Sequence, residues 1–596
     1  MAENLLDIKN LTINFYEEAI EQYAVSGLNL SINKGETIAL LGESGCGKSL
    51  TSLAIMGLLP EAAKISRQSS INFKDKHLLE LSEVSMRKIR GKNISMIFQE
   101  PMTSLNPVLT IGEQVLEALK AHIKISLIHA RETIVDLFTA VGLKEAEQLL
   151  KCYPHELSGG MKQRVMIAMA IALEPDLLIA DEPTSALDVT VQRQILKLLH
   201  EVQARSNMGM LFITHDLSLV KEIADKIAIM YAGHIVEFAD KQSFFNKPLH
   251  PYTKQLFDSL PNFEKRDFAL NVIPGLIPKI TQDYKSCRFA QRCPYVMDKC
   301  KQAEPQLEKK SQIHAVRCFL YSEKHNIINK TEQQPKLAKA TKQDDSAILD
   351  IKDVKFYFPI KKGLLKRTVD YVKAVDDVNM SLTKGKTLAI VGESGCGKTT
   401  LAKGILQLIE KTSGEIIFNN NPNLSGKDLR RFVQIIFQDP FSSMNPRMRV
   451  GDIILEGMRS LNKIKSHTTE QEYVNQLLKK VGLPEKSQHR YPHEFSGGQR
   501  QRICIARALA VEPQLIICDE PTSALDVSVQ AQILNLLKKL QLEKQLSYVF
   551  ISHNIEVVAY MADTIAVMKQ GKIVEVGDVR SILHTPKDDY TKSLMG

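Results

Sequence analysis

Two octapeptides in this chain have the residue types and spacing to hold a polyphosphate. Gly42-Glu43-Ser44-Gly45-Cys46-Gly47-Lys48-Ser49 recurs as Gly392-Glu393-Ser394-Gly395-Cys396-Gly397-Lys398-Thr399. In such a loop, glycines let successive backbone N–H groups turn inward around a phosphate, and a following helix N-terminus adds positive potential. Lys48 and Lys398 supply the cation for the β- and γ-phosphates, and Ser49 and Thr399 offer hydroxyls to Mg²⁺. A second pair of motifs carries carboxylates. Asp181-Glu182 and Asp519-Glu520 each close a run of four apolar residues, Leu177–Ala180 and Leu515–Cys518. The aspartate is expected at a strand end, within reach of the Mg²⁺ shell. The glutamate points on toward the γ-phosphate, where a carboxylate polarises an attacking water as general base.

Repetition governs the elements that must position these groups. Asp181–Asp188 (Asp-Glu-Pro-Thr-Ser-Ala-Leu-Asp) recurs letter for letter as Asp519–Asp526, and Pro154-His155-Glu156-Leu157-Ser158-Gly159-Gly160 recurs with one change at Pro492–Gly498. Leu5-Leu6-Asp7-Ile8 matches Ile348-Leu349-Asp350-Ile351. The repeat is a whole domain, so two homologous domains stand in tandem: 1–262 and 347–596, with an extension over 263–320 and a linker over 321–346. The linker is rich in Lys, Gln, Asn, Thr and Glu, too polar to offset its ordering entropy by burial. Thr37–Leu41, Leu177–Ala180 and Leu211–Ile213 read as buried strands, and Leu50–Leu59 as a helix. Such alternation predicts an α/β fold with a mainly parallel sheet.

The whole motif set resembles the nucleotide-binding domain of ATP-binding-cassette (ABC) proteins, a P-loop NTPase fold. That resemblance implies an antiparallel β subdomain and a helical subdomain beside each sheet. Ser158-Gly159-Gly160-Met161-Lys162-Gln163-Arg164 and Ser496-Gly497-Gly498-Gln499-Arg500-Gln501-Arg502 resemble the family's signature motif, which implies head-to-tail pairing with each signature facing the ATP of the other cassette. Gln99 and Gln438, each after Ile-Phe, match the family's Q-loop glutamine. His215 and His553 match its switch histidine. Phe15 and Phe358 stand where the family places an adenine-stacking aromatic, with Tyr16 and Tyr357 adjacent. No catalytic element is missing from either copy, so two active sites using ATP and Mg²⁺ are expected.

Within the family, the Ser-Ala-Leu-Asp loops and the short linker are similar to transporter ATPases. They separate the chain from tandem-cassette translation factors that act on ribosomes, and from DNA-repair ATPases with large insertions. Gln99–Pro107, Gln438–Pro446, His250-Pro251-Tyr252-Thr253-Lys254 and the degenerate Tyr590-Thr591-Lys592 resemble the dipeptide/oligopeptide importer group, glutathione importers included. The implied partners are two membrane permease subunits and an extracytoplasmic binding protein. The implied location is the cytoplasmic face of the cell membrane. No run of about 18 or more apolar residues and no signal peptide at the start lead to the same expectation of a cytosolic chain. A net charge of +9 without a dense Lys/Arg block gives no nucleic-acid footprint.

Four of the nine cysteines, Cys287, Cys293, Cys300 and Cys318, crowd into the extension. The absence of a C-x₂-C pair argues against a zinc ribbon. Four thiolates suit a [4Fe–4S] cluster, which the importer resemblance also implies; zinc or no metal are the other readings.

Overall fold

The structure, a computed structural model, describes residues 3–17, 20–99, 104–184, 189–282, 284–322, 345–362, 367–461, 467–523 and 525–595. Ser185–Asp188 of the first Ser-Ala-Leu-Asp loop, Glu100–Thr103 after the first Q-loop glutamine, Ala524 and most of the linker lie outside them.

The chain divides into two compact units. In the first, a central sheet runs in the order Ile94–Ile97, Leu177–Asp181, Gly209–Ile213, Thr37–Leu41, Lys226–Tyr231, His234–Asp240. The first five strands are parallel neighbours. Thr37–Leu41, Leu177–Asp181 and Gly209–Ile213 are buried at every position, as strands covered on both faces must be. Parallel pairing puts all their carboxyl ends on one edge, and that edge is where an open α/β sheet binds ligands. The predicted helix is present but starts earlier, at Lys48, and ends at Met56.

An antiparallel sheet containing Asn4–Glu17, Ile20–Asn33 and Ser70–Phe73 stands beside this one. A helical layer of Ile111–Lys120, Leu127–Ala140 and Gly159–Ile171 has its own core, with Val115, Phe138 and Val165 fully buried. The second unit repeats the plan. Its sheet order is Val433–Ile436, Leu515–Asp519, Ser547–Ile551, Thr387–Val391, Thr564–Lys569, Lys572–Asp578, and its antiparallel sheet is Ala347–Lys362, Arg367–Thr383 and Ser413–Phe418.

The extension is where the copies part. Ala315–Val316 pairs with His234–Asp240 (Glu237 with Val316), and Glu308–Lys309 pairs outside it, so the first sheet is two strands wider. Ser259–Val272, which the sequence reading divided between first cassette and extension, packs as part of the second unit. There the Arg266 guanidinium donates to the Ala562 carbonyl at 2.8 Å, and Leu270 joins the core of Val481, Phe495 and Leu537.

Candidate functional site

The phosphate loops are folded by their glycines. Gly47 and Gly397 cap the following helices with φ of 104° and 109°, backbone that a side chain rarely adopts. The helix then begins at the lysine itself. Lys48 Nζ is buried and donates to the carbonyls of Gly42 (2.8 Å) and Glu43 (3.1 Å); Lys398 Nζ does the same to Gly392 (2.7 Å) and Glu393 (2.8 Å). Each ammonium is thus folded back onto the carbonyls of its own loop. Ser44 and Gly45, and Ser394 and Gly395, are exposed at the mouth.

Asp181 and Asp519 end buried strands. Burial pushes the Asp181 carboxyl up to about 6, and Asp519 shifts the same way for the same reason. Thr399 Oγ1 donates to Asp519 Oδ1 at 3.4 Å, and a Ser49 hydrogen bond opposes the rise at Asp181. Asp181 Oδ1 is buried with no hydrogen-bond partner. An orphaned carboxylate oxygen beside a hydroxyl, facing the phosphate-loop lysine, is the donor set that Mg²⁺ completes.

The three remaining expected groups meet one another. Glu182 and Glu520 adopt φ of 48° and 47°, left-handed backbone unusual for a glutamate, and are pinned there by N–H donation to Ile213 and Ile551, each at 2.9 Å. That turn swings the carboxylate away from the aspartate. Gln99 Nε2 donates to Glu182 Oε2 at 3.2 Å, and His215 Nδ1 lies 3.1 Å from Oε1. In the second copy the Gln438 amide reaches Glu520 Oε2 at 2.9 Å, with His553 Nδ1 3.3 Å from the same oxygen. Burial is the largest single influence and would raise the Glu182 carboxyl, yet His215, Lys48 and Gln99 together hold the group below its usual range. Glu520 follows the same pattern. Burial likewise disfavours the His215 imidazolium, and Glu182 reverses that, raising it. An ionised, oriented carboxylate that shares a proton with a histidine is equipped to polarise water.

A family model described as "ABC transporter" matches residues 25–185 and again 375–523. The chain belongs to the ABC transporter family. A second model, "Oligopeptide/dipeptide transporter, C-terminal region", matches 236–300. Proteins called "Glutathione import ATP-binding protein GsiA" from Shigella sonnei (strain Ss046) and Escherichia coli (strain K12) are each 42% identical to this chain over 604 residues. Those alignments span 100% of this chain and 89% of each relative. As a member of this family the chain is an ATP-binding, ATP-hydrolysing enzyme with two cassettes.

The ABC signature serines have a local role in each unit. Ser158 caps Gly159–Ile171, its Oγ accepting from the Met161 N–H at 3.3 Å; Ser496 caps Gly497–Leu509 at 3.4 Å, with Gln499 returning the contact to the Ser496 N–H at 3.1 Å. Both serines and the glycines after them, Gly159 and Gly497, are exposed, leaving helix N-termini open to an anion.

A cavity of about 570 Å³ in the first unit joins Phe15 and Tyr16 to Ser44 and Gly45 of the loop. Phe15 leans on the core, whereas Tyr16 is exposed, so either ring borders the space for a base. Phe358 is exposed on the corresponding strand.

Sequence reasoning missed what the importer motif does. The Tyr252 hydroxyl accepts the Glu43 N–H at 3.1 Å, and Tyr590 accepts the Glu393 N–H at 3.0 Å. The turns carrying them are held by a second matched pair. Glu237 accepts the Leu249 and His250 N–H groups at 2.7 and 2.9 Å, and Glu575 accepts those of Lys587 and Asp588 at 2.9 and 3.1 Å. The signal was the repetition of Tyr-Thr-Lys after each cassette, which turn chemistry alone does not require.

The four extension cysteines are free thiols, Cys300 buried and the other three partly buried. The Cys287 N–H donates to the Cys300 carbonyl at 2.8 Å. Burial pushes Cys287 up to about 11, and Cys293 and Cys318 to about 12. Among the described residues no three His, Cys, Asp or Glu side chains are placed to hold one metal ion. Four thiols match the number and kind of ligand a multi-iron cluster takes, but they do not converge as a single tetrahedral ion requires.

Proposed function

We propose that this chain powers an ABC importer of peptides or modified peptides, glutathione among them. The observation that carries its chemistry is the Gln–Glu–His assembly, present at the carboxyl edge of both parallel sheets. Glu182 and Glu520 take a proton from water as it attacks the γ-phosphate, with Gln99 and Gln438 orienting the carboxylate and His215 and His553 sharing the charge. Lys48 and Lys398 hold the β- and γ-phosphates. Asp181 with Ser49, and Asp519 with Thr399, would hold Mg²⁺, which would supply charge neutralisation. The oligopeptide-transporter region and the relatives' printed role in glutathione import support the substrate class. Two permease subunits, an extracytoplasmic binding protein and a peripheral place on the cytoplasmic face follow from that role. No helix among the described residues is long and apolar enough to cross a membrane; in this reading the permease subunits supply the pathway.

Each signature serine acts, in this reading, on the ATP bound by the other cassette, as the family resemblance implies. The extension's thiols Cys287, Cys293, Cys300 and Cys318 would hold a [4Fe–4S] cluster as thiolates, giving up their protons on binding it. Glu182→Gln with Glu520→Gln should leave ATP binding intact and slow hydrolysis by roughly 10²–10⁴-fold. Hydrolysis by the double variant at the parent rate would defeat the assignment.

A further inference from the structure

Glu43, the second residue of the first phosphate loop, is gripped from outside its own cassette. Arg292, in the single-turn helix Ala290–Arg292 of the extension, forks onto it: Nη1 to Oε2 at 2.7 Å and Nη2 to Oε1 at 3.1 Å. Both side chains are buried, at 3% and 5% exposure, so this is a fully desolvated bidentate pair. The guanidinium is itself fixed by donation to the Tyr231 hydroxyl (3.2 Å) and, through Nε, to the Pro274 carbonyl (2.8 Å). Glu43 meanwhile gives its N–H to Tyr252 and its carbonyl to Lys48 and the Cys46 N–H. Four residues thus determine where the loop's second residue sits.

The second cassette repeats all of this except the clamp. Glu393 gives its N–H to Tyr590 and its carbonyl to Lys398 and the Cys396 N–H. Its side chain is only half-buried, and among the described residues no cation pairs with it. Lys569 stands where the first cassette has Tyr231, and its ammonium lies over the Tyr590 ring, 4.7 Å from the centroid.

The extension reaches the same nucleotide site at a second point. Ile277–Ile280 lines the cavity that holds Tyr16, Ser44 and Gly45, and the Ile280 carbonyl accepts the Tyr23 N–H at 2.8 Å. Arg288, four residues before Arg292, donates to the carbonyl of Ala232 at 2.6 Å, and Ala232 lines that cavity too. A buried clamp at the phosphate end and a backbone wall at the base end come from one stretch of chain.

We propose that the extension is a built-in part of the first ATP site alone, with Arg292 as its positioning residue, so that it sets nucleotide affinity there independently of the second site. This rests on reading the two loops as ATP sites. The physical reason is charge. Without Arg292 a buried, uncompensated Glu43 carboxylate stands in the first turn of a loop that must accept a polyphosphate, and the repulsion grows with each phosphate.

The test titrates full-length protein with a fluorescent ATP analogue and its ADP counterpart. Lys398→Ala isolates the first site and Lys48→Ala the second. Arg292→Met should weaken the ATP analogue at the first site at least about tenfold, weaken the ADP analogue less, and leave the second site unchanged. Adding Glu43→Gln, which removes the stranded charge, should return the first site to within about threefold of the parent. Unchanged binding at the first site, equal loss at both sites, or no rescue by Glu43→Gln would each overturn the inference. If Arg292→Met does not fold, Arg292→Lys decides: a first-site loss supports the clamp, and parental affinity removes it. If instead Lys48→Ala and Lys398→Ala both bind nucleotide like the parent, it is the ATP-site reading that fails, and the clamp falls with it.

Discussion

A Cβ added at Gly47 would lie 2.6 Å from the Ala24 carbonyl oxygen and 2.8 Å from the Met230 methyl; at Gly397 it would lie 2.1 Å from the Ala374 carbonyl oxygen. At Gly45 the same atom meets nothing within 4 Å, although φ there is 80°. The two positions separate backbone strain from steric exclusion. Gly45→Ala should weaken nucleotide binding by about five- to thirtyfold, from left-handed strain of about 1–2 kcal/mol. Gly47→Ala adds a clash with fixed backbone and should lose far more. Equal losses in a binding titration would mean that loop geometry is not what binds. At this scale spacing pointed to the lysines, aspartates and glutamates and the family resemblance to the glutamines and histidines, and the structure brings Gln99, Glu182 and His215, and Gln438, Glu520 and His553, into contact. What spacing did not show is how Asp181 and Glu182, adjacent in sequence, serve different ends. That depends on a left-handed turn at Glu182, which residue type gives no reason to expect.

Elements raise a different difficulty, because their partners are remote. Ser259–Val272 reads as nondescript chain, and the sequence division ran through it. In the structure Asn535, on Val527–Lys544, pairs with Leu270 in both directions: the Leu270 N–H reaches Oδ1 at 2.9 Å and Nδ2 donates to the Leu270 carbonyl at 2.8 Å. Tyr560 donates to the Phe268 carbonyl at 3.1 Å, and the Lys538 ammonium donates to the Arg266 carbonyl. None of these pairings has a periodicity to betray it. Asn535→Ala strands a backbone N–H and carbonyl and should destabilise the second unit by about 1–3 kcal/mol. Limited proteolysis should then cut within 259–272 faster than in the parent, and an unchanged rate would show that the segment is held by other contacts. The tyrosines of the importer motif were hidden for the same reason: Tyr252 was visible as a motif, but its partner Glu43 lies far away in sequence. Tyr252→Phe keeps the ring against Tyr231 and Phe289 and removes the hydroxyl that accepts the Glu43 N–H. It should weaken nucleotide binding in the Lys398→Ala background and not in the Lys48→Ala background. Loss at both sites would show that the hydroxyl serves general stability.

Across the whole molecule the duplication was legible from the first motif, and the differences between copies are what the structure adds. One of them has a thermodynamic consequence. His250 is buried in the first unit, its Nδ1 accepting the Tyr252 N–H at 3.1 Å, and Asp588 fills the same role in the second, accepting the Tyr590 N–H at 2.9 Å. Burial pushes His250 down to about 4; the Glu237 carboxylate and a backbone hydrogen bond with Arg317 partly oppose this, and the Arg317 guanidinium adds to it. Above the ordinary imidazole range, near pH 6.5, neither folded nor unfolded chain holds that proton. Between there and pH 4 the unfolded chain takes it up and the folded one does not, so stability is lost as pH falls. The ceiling is on the order of 3 kcal/mol, from the size of the shift. Protonation would also cost the Tyr252 N–H its acceptor, and with it part of the support under Glu43. His250→Asn keeps an acceptor and cannot titrate. Hydrogen exchange of the first unit, compared between parent and variant from pH 7.5 to 4.5, should show the parent losing protection faster on acidification, while the second unit behaves alike in both. Comparing the two proteins at each pH cancels every other titrating group, His215 included, whose shift runs the opposite way. Parallel pH profiles in the first unit would mean that His250 takes up its proton without unfolding its surroundings, and the linkage argument would fail.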